Sequence, residues 1–80
     1  MRLDKYLKVT RLIKRRTIAN EACDAGRVLV DGKTARASYE VKEGDVIEIQ
    51  LGQKPLRVRV LSVTESPRKE EAASNYEVLE

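Results

Sequence analysis

Residues 14–33 read KRRTIANEACDAGRVLVDGK. A basic loop, a capped short helix, a glycine stop, a strand and a tight turn follow one another there. Thr17 stands where an N-cap is expected, before a helix over Ile18–Ala25, and its hydroxyl can accept from a free backbone N–H of the first turn. A reciprocal capping box would need Glu or Gln at position 20; Asn20 stands there, so the cap is one-sided. Ile18, Ala22 and Ala25, flanked by Ala19 and Cys23, make the apolar stripe, and their small size points to close packing on another helix. Gly26 suits the left-handed residue that ends a helix. Arg27–Val30 reads as a strand with Val28 and Val30 on one face. Asp31-Gly32 is a two-residue hairpin signal, because a type I′ turn needs positive φ at both central residues. Lys33–Ala37 is the returning strand.

Upstream, residues 2–9, extending at most to 12, read as a first helix with Leu3, Tyr6, Leu7 and Thr10 on one stripe. Arg2, Lys5 and Lys8 point away from it, and Lys5 reads as part of a solvated face. TRLIKRR, residues 10–16, is the connector. Leu12 and Ile13 anchor it to the core. Lys14, Arg15 and Arg16 are consecutive cations with no acid among them, and the next acid downstream is Glu21. Like charges in a row gain nothing for folding, so contact with a polyanion explains them better than a solvated surface does.

Downstream, Ser38–Lys42 is an irregular crossing and Glu43-Gly44-Asp45 a turn. Val46–Leu51 alternates, with Ile47, Ile49 and Leu51 inward and Glu48 and Gln50 outward. Gly52–Pro55 is another turn. Leu56–Val63 alternates with Leu56, Val58 and Val60 inward and Arg57 and Arg59 outward. The apolar phase then moves to Leu61 and Val63, which marks a bulge. Ser66-Pro67 stops the strand, Lys69–Asn75 has the residues of a short helix, and Tyr76–Leu79 adds a last strand or a packed tail. The expected fold is α+β: two short N-terminal helices on a small, mostly antiparallel twisted sheet of four to five strands, with room for a short C-terminal helix. Residues 1–80 make a single domain, with a core motif over about 1–50 and a C-terminal strand and tail over 51–80.

A chain of 80 residues buries a small core. It has no Trp, Phe or His, so Val, Leu, Ile, Ala and parts of Tyr6, Tyr39 and Tyr76 must supply that core. Cys23 is the single cysteine, which excludes an internal disulfide and points to a reducing compartment, the cytoplasm. No apolar run is long enough to cross a bilayer or to serve as a signal peptide, so no membrane partner is expected. Net charge is +3, unevenly spread. Residues 1–36 hold ten Lys and Arg against four acids, and residues 37–80 hold six against nine. Such asymmetry points to one face that meets a polyanion and one face that does not.

The residues for catalysis are missing. There is no His for proton transfer or metal ligation, and Cys23 lies on the apolar stripe with no base in the chain to activate it. No Cys/His cluster and no glycine-rich phosphate loop is present. The expectation is no enzyme, no catalytic residue, no metal, no cofactor and no small-molecule substrate. The cations of the first helix, the connector and the start of the second helix can converge on one surface, where free helix N–H groups also favour phosphate. The lack of exposed aromatics argues against a single-strand stacking platform and for recognition of structured RNA by shape. A DNA-reading helix-turn-helix fits less well, because the second helix would present Asn20, Glu21 and Asp24 to the bases.

The order helix, Arg15-Arg16-Thr17, helix, Gly26, Val28-Leu29-Val30-Asp31-Gly32-Lys33 resembles the RNA-binding domain named after ribosomal small-subunit protein four, the S-four domain. Asp31 stands where many members carry Asn. The start MRLDKYLKV, the connector RLIKRRT, the Gly52-Gln53-Lys54 turn and the tail Lys69-Glu70-Glu71-Ala72-Ala73 with Tyr76 resemble a small stand-alone branch of that family, across nearly the whole chain. The resemblance implies a role in bacterial ribosome-associated quality control. It implies a monomer that contacts large-subunit ribosomal RNA and peptidyl-tRNA on a split large ribosomal subunit, and that supports alanine tailing by an RqcH-type factor. Arg2 and Arg16 are then the first candidates for RNA contact, Arg11, Lys14 and Arg15 the supporting set, and Lys8 and Lys33 the last in rank. Asp4 reads as a structural partner of a neighbouring cation. Two alternatives stand beside this. A heat-shock ribosome-recycling member of the family carries a long basic C-terminal extension, where this sequence ends in acids. An appended RNA-targeting domain of an RNA-modifying enzyme or tRNA synthetase would need a catalytic part, whereas a stand-alone chain from Met1 to Glu80 is expected.

Overall fold

The computed structural model describes residues 1–50, 52–63 and 75–79. Two helices, α1 (Leu3–Val9) and α2 (Arg16–Asp24), precede five strands: β1 (Val28–Val30), β2 (Lys33–Thr34), β3 (Val46–Ile49), β4 (Leu56–Val60) and β5 (Tyr76–Leu79). The strands form one sheet in the order β2-β1-β3-β4-β5, and every pairing is antiparallel. The expected α+β architecture is present, at the upper end of its strand count.

Leu3, Tyr6 and Leu7 of α1 are fully buried and Thr10 is 2% exposed, so the stripe read from the sequence is the inner face of the helix. They share one core with Ala19, Ala22 and Cys23 of α2 and with Val28, Val30, Ile47, Ile49, Val58 and Val60 of the sheet. Ile13 is buried and Leu12 packs against the same core, which holds the connector in place. Burial pushes the Cys23 thiol up to about 11, as expected of a core cysteine.

The turn chemistry is realised. Asp31 and Gly32 have φ of 53° and 84° between the paired residues Val30 and Lys33, as a type I′ turn requires. Gly26 sits at φ 76°. Its N–H donates to the Cys23 carbonyl at 3.0 Å and that of Arg27 to Ala22 at 2.9 Å, the paired bonds that close a helix through a left-handed residue. Leu61 and Ser62 both donate to the Asn75 carbonyl, at 2.9 and 3.1 Å, so two residues oppose one as in a bulge.

Several expectations are corrected. α2 starts at Arg16 with an extended Arg15 before it and no side-chain cap, so Thr17 lies inside the first turn and is not the cap. The buried stripe of α2 is Ala19, Ala22 and Cys23, while Ile18 is 45% exposed and Ala25 is exposed. Both stripes fit the helical period. The small side chains win because α1 packs directly against this face, and a branched Ile there would hold the helices apart. β2 ends at Thr34, although the Ala35 N–H still donates to Val28 at 3.1 Å; Ala35 and Ala37 then turn into the core. Leu56 pairs with Ile49 but lies at an end of the sheet, 38% exposed. Lys5 is partly buried rather than wholly solvated. Tyr76–Leu79 is a strand, whereas Leu51 and residues 69–74 of the expected C-terminal helix lie outside the described residues.

Candidate nucleic-acid interface

The N-terminus of the chain is laced to the crossing that follows β2. Leu3 and Asp4 donate their backbone N–H groups to the carbonyls of Tyr39 and Ala37, at 2.8 and 3.2 Å, and Val41 donates to Met1 at 2.9 Å. The Met1 amine pairs with the Glu40 carboxylate and holds it below the usual carboxylate range. These bonds satisfy the first amides of α1, which its own turns leave open, and they fix where Arg2 and Asp4 stand.

Asp4 is the centre of the site. It is 2% exposed. Its Oδ1 accepts from the Lys5 N–H at 2.8 Å and from Arg2 Nε at 3.3 Å, and its Oδ2 accepts from Arg16 Nε and Asn20 Nδ2, each at 3.3 Å. Burial alone would raise the carboxyl pKa. The hydrogen bonds from Asn20, Arg16 and the Lys5 amide, with the charge of Arg16, outweigh it and hold the group below its ordinary value. The two arginine side chains remain 50% and 46% exposed. Each uses Nε on Asp4, and its Nη groups take no partner among the described residues. One buried carboxylate thus aims two guanidinium forks outward, the geometry that suits phosphate. Asp4 is the structural partner expected of it, for two cations at once. Asn20 was read as part of an exposed face; its sequence signal is the four-residue step from Arg16, which puts both on one flank of α2.

The supporting cations lie on the connector. The Thr10 hydroxyl donates to the Tyr6 carbonyl at 2.7 Å and closes α1. Arg11 follows at φ 64°, with its N–H on the Lys8 carbonyl at 3.0 Å. That left-handed position is normally given to Gly, and a non-Gly residue costs about 1–2 kcal/mol there. Lys8, Arg11, Lys14 and Arg15 are all exposed, and the first turn of α2 holds no acid. Cations at the positive end of a helix oppose its dipole. Strain at Arg11 and repulsion at Arg15 and Arg16 make sense if an anion completes the surface. Lys33 is exposed beside the Asp31-Gly32 turn, so it belongs to the hairpin rather than to the Arg2–Arg16 pair. Among the described residues, no group of three or more His, Cys, Asp or Glu side chains could hold a metal, and no helix is long and apolar enough to cross a membrane.

A family model described as the S4 domain matches residues 1–47. The RQC P-site tRNA stabilizing factor of Halalkalibacterium halodurans is 56% identical over 78 residues, spanning 98% of this chain and 89% of the relative. That of Streptococcus pneumoniae is 52% identical over 79 residues, spanning 99% and 90%. A heat shock protein 15 homolog of Aeromonas salmonicida is 35% identical over 65 residues, spanning 81% of this chain but 49% of that protein. The solved trimeric structure of Vibrio cholerae heat shock protein 15 superposes with a TM-score of 0.91 at 28% identity, over 99% of this chain and 81% of that one.

Proposed function

Because the chain belongs to the S4 domain family and, within it, to the RQC P-site tRNA stabilizing factors, we propose that it is a non-catalytic RNA-binding factor of bacterial ribosome-associated quality control. It works in the cytoplasm as a monomer, without cofactor. It binds ribosomal RNA of the split large subunit together with peptidyl-tRNA, and holds the tRNA while an RqcH-type factor adds alanine to the stalled chain. The observation that carries the reading is the pair Arg2 and Arg16, both aimed outward by the buried Asp4. Arg11, Lys14 and Arg15 extend that surface along the connector, Lys8 is a further candidate on α1, and Lys33 is a candidate on the hairpin, apart from the pair.

Sedimentation of tagged protein from a lysate, with RNA extracted from its fraction, tests the reading. Co-migration with free large subunits that carry peptidyl-tRNA is expected, and loss of the protein should stop alanine tailing. Migration at the top of the gradient without RNA overturns it. A second reading, recycling of large subunits in the manner of the heat-shock branch, draws on the shared fold. It predicts release of the trapped chain with no dependence on an RqcH-type factor. The near full-length match to the stabilizing factors, against half of the heat-shock homolog, favours the first.

A further inference from the structure

A second basic site lies away from the arginine pair, in the groove between the β1–β2 hairpin and the crossing that follows it. Lys33, Thr34, Arg36, Ser38 and Tyr39 line it, with Asp31 at its end. Lys33, Thr34, Arg36 and Ser38 are exposed. Among the described residues, no carboxylate pairs with Lys33 or Arg36. The nearby acids are already engaged: Asp31 accepts the Val46 N–H at 3.1 Å, and Asp45 accepts the Tyr39 hydroxyl and the Lys42 N–H, each at 2.9 Å. The groove therefore presents two cations and two hydroxyl side chains, and the one carboxylate that lines it, Asp31, forms no ion pair with either cation among the described residues.

Its floor is rigid. Ala35 and Ala37, on either side of Arg36, are 9% and 3% exposed, so alternation sends the Arg36 side chain outward while its neighbours are held in the core. The Ala35 N–H donates to Val28 on one side, and the Ala37 carbonyl accepts from Asp4 on the other. Arg36 is thus one residue from the backbone that seats Asp4. An exposed arginine on a fixed backbone loses less freedom on binding than one on a mobile loop.

We propose that this groove is a second phosphate-binding locus for structured RNA, with Arg36 as its anchor, Lys33 beside it, and the Thr34 and Ser38 hydroxyls placed for phosphate or 2′-hydroxyl contacts. The inference rests on the RNA-binding reading above and lengthens its footprint from the helices to the hairpin.

The test is binding of the full chain to purified bacterial large ribosomal subunits and, separately, to the naked large-subunit RNA, each across a range of KCl concentrations. Arg36→Ala and Lys33→Ala should each weaken binding about three- to ten-fold and lower the slope of log K against log salt by about 0.7–0.9, one phosphate each. Arg36→Lys should keep the slope. Both alanine variants change exposed residues, and unchanged thermal unfolding separates lost contact from lost fold. If Arg16→Ala weakens binding while Arg36→Ala and Lys33→Ala leave affinity and slope as in the parent, the groove is not an RNA site and the arginine-pair reading survives. If Arg36→Ala weakens binding to subunits but not to naked RNA, the groove holds a protein and the assignment is overturned. If the parent shows no salt-dependent binding to either probe, both readings fall together.

Discussion

Arg16 places its Nε 3.3 Å from Oδ2 of Asp4, a carboxylate that is 2% exposed and twelve residues earlier in the chain. The contact joins the first turns of α1 and α2, and Arg2 reaches the same carboxylate from the other side. The proposed RNA contact and the packing of the two helices therefore share a residue.

Asp4→Asn keeps the shape and removes the charge. At neutral pH it should lower stability by about 1–3 kcal/mol, since part-buried donors lose an ionised acceptor that is itself buried. The Asp4 pKa is depressed in the fold. Its contribution is therefore complete above the ordinary aspartate value near pH 4, and is lost as the pH falls through the folded pKa. Denaturant unfolding at stepped pH should show parent and variant far apart at pH 6 and converging in acid. A gap that widens in acid would contradict this.

Arg16→Ala should cost little stability, about 1 kcal/mol or less, because the pair is half exposed and Asp4 keeps Arg2, Asn20 and the Lys5 amide. For a domain of this size that is a fall in Tm of several degrees. Affinity for large subunits should fall on the order of ten-fold, the worth of a charge-assisted bond. Arg16→Lys should restore the salt slope but not the full affinity, since an ammonium cannot bond Asp4 through Nε and still present a fork. Unfolding of Arg16→Ala at room temperature would make Arg16 structural.

Arg11→Gly should separate stability from function. Glycine accepts φ of 64° without strain. The gain of about 1–2 kcal/mol is offset in part by the larger entropy of the unfolded chain. Thermal unfolding should find the variant as stable as the parent or slightly more so, while ribosome binding weakens and the salt slope falls by about one phosphate. Equal binding by the two proteins would leave Arg11 outside the interface.

Gly26→Val tests the helix stop. A Cβ at Gly26 would meet only Thr34 Cγ2 at 3.7 Å, an ordinary contact, so the cost is conformational. A β-branched residue at φ 76° should lose about 2 kcal/mol or more. Calorimetry would read this as a drop in Tm of roughly ten degrees. Parent-like stability would mean that the helix can end in another way.

The local signals were legible because they are local physics. Asp31-Gly32 and Gly26 declare positive φ, and the alternation of Ile47 and Ile49, or Val58 and Val60, declares a face. The errors fall where two local solutions are equally good. Thr17 could cap a helix that begins at Ile18; once Arg16 is drawn to Asp4, the helix begins at Arg16 and the threonine is inside it. Ile18 and Ala19 both start a plausible stripe, and only the closeness of α1 chooses between them.

The cations of the candidate site were legible for the same reason: consecutive cations without acids are visible in any sequence. The part of Asn20 in holding Asp4, and an Arg36 that points outward with no acidic partner among the described residues, were not, because each depends on groups brought together from distant residues.

The sequence alone determined the class of fold, its turns, the basic first half and the poverty in catalytic groups, all of which follow from residue type and short spacing. The tertiary structure alone decided the strand order β2-β1-β3-β4-β5 and the gathering of residues 2, 5, 16 and 20 on one buried carboxylate. Long-range pairing and burial settle those choices, and neither is a property of a stretch of chain taken by itself.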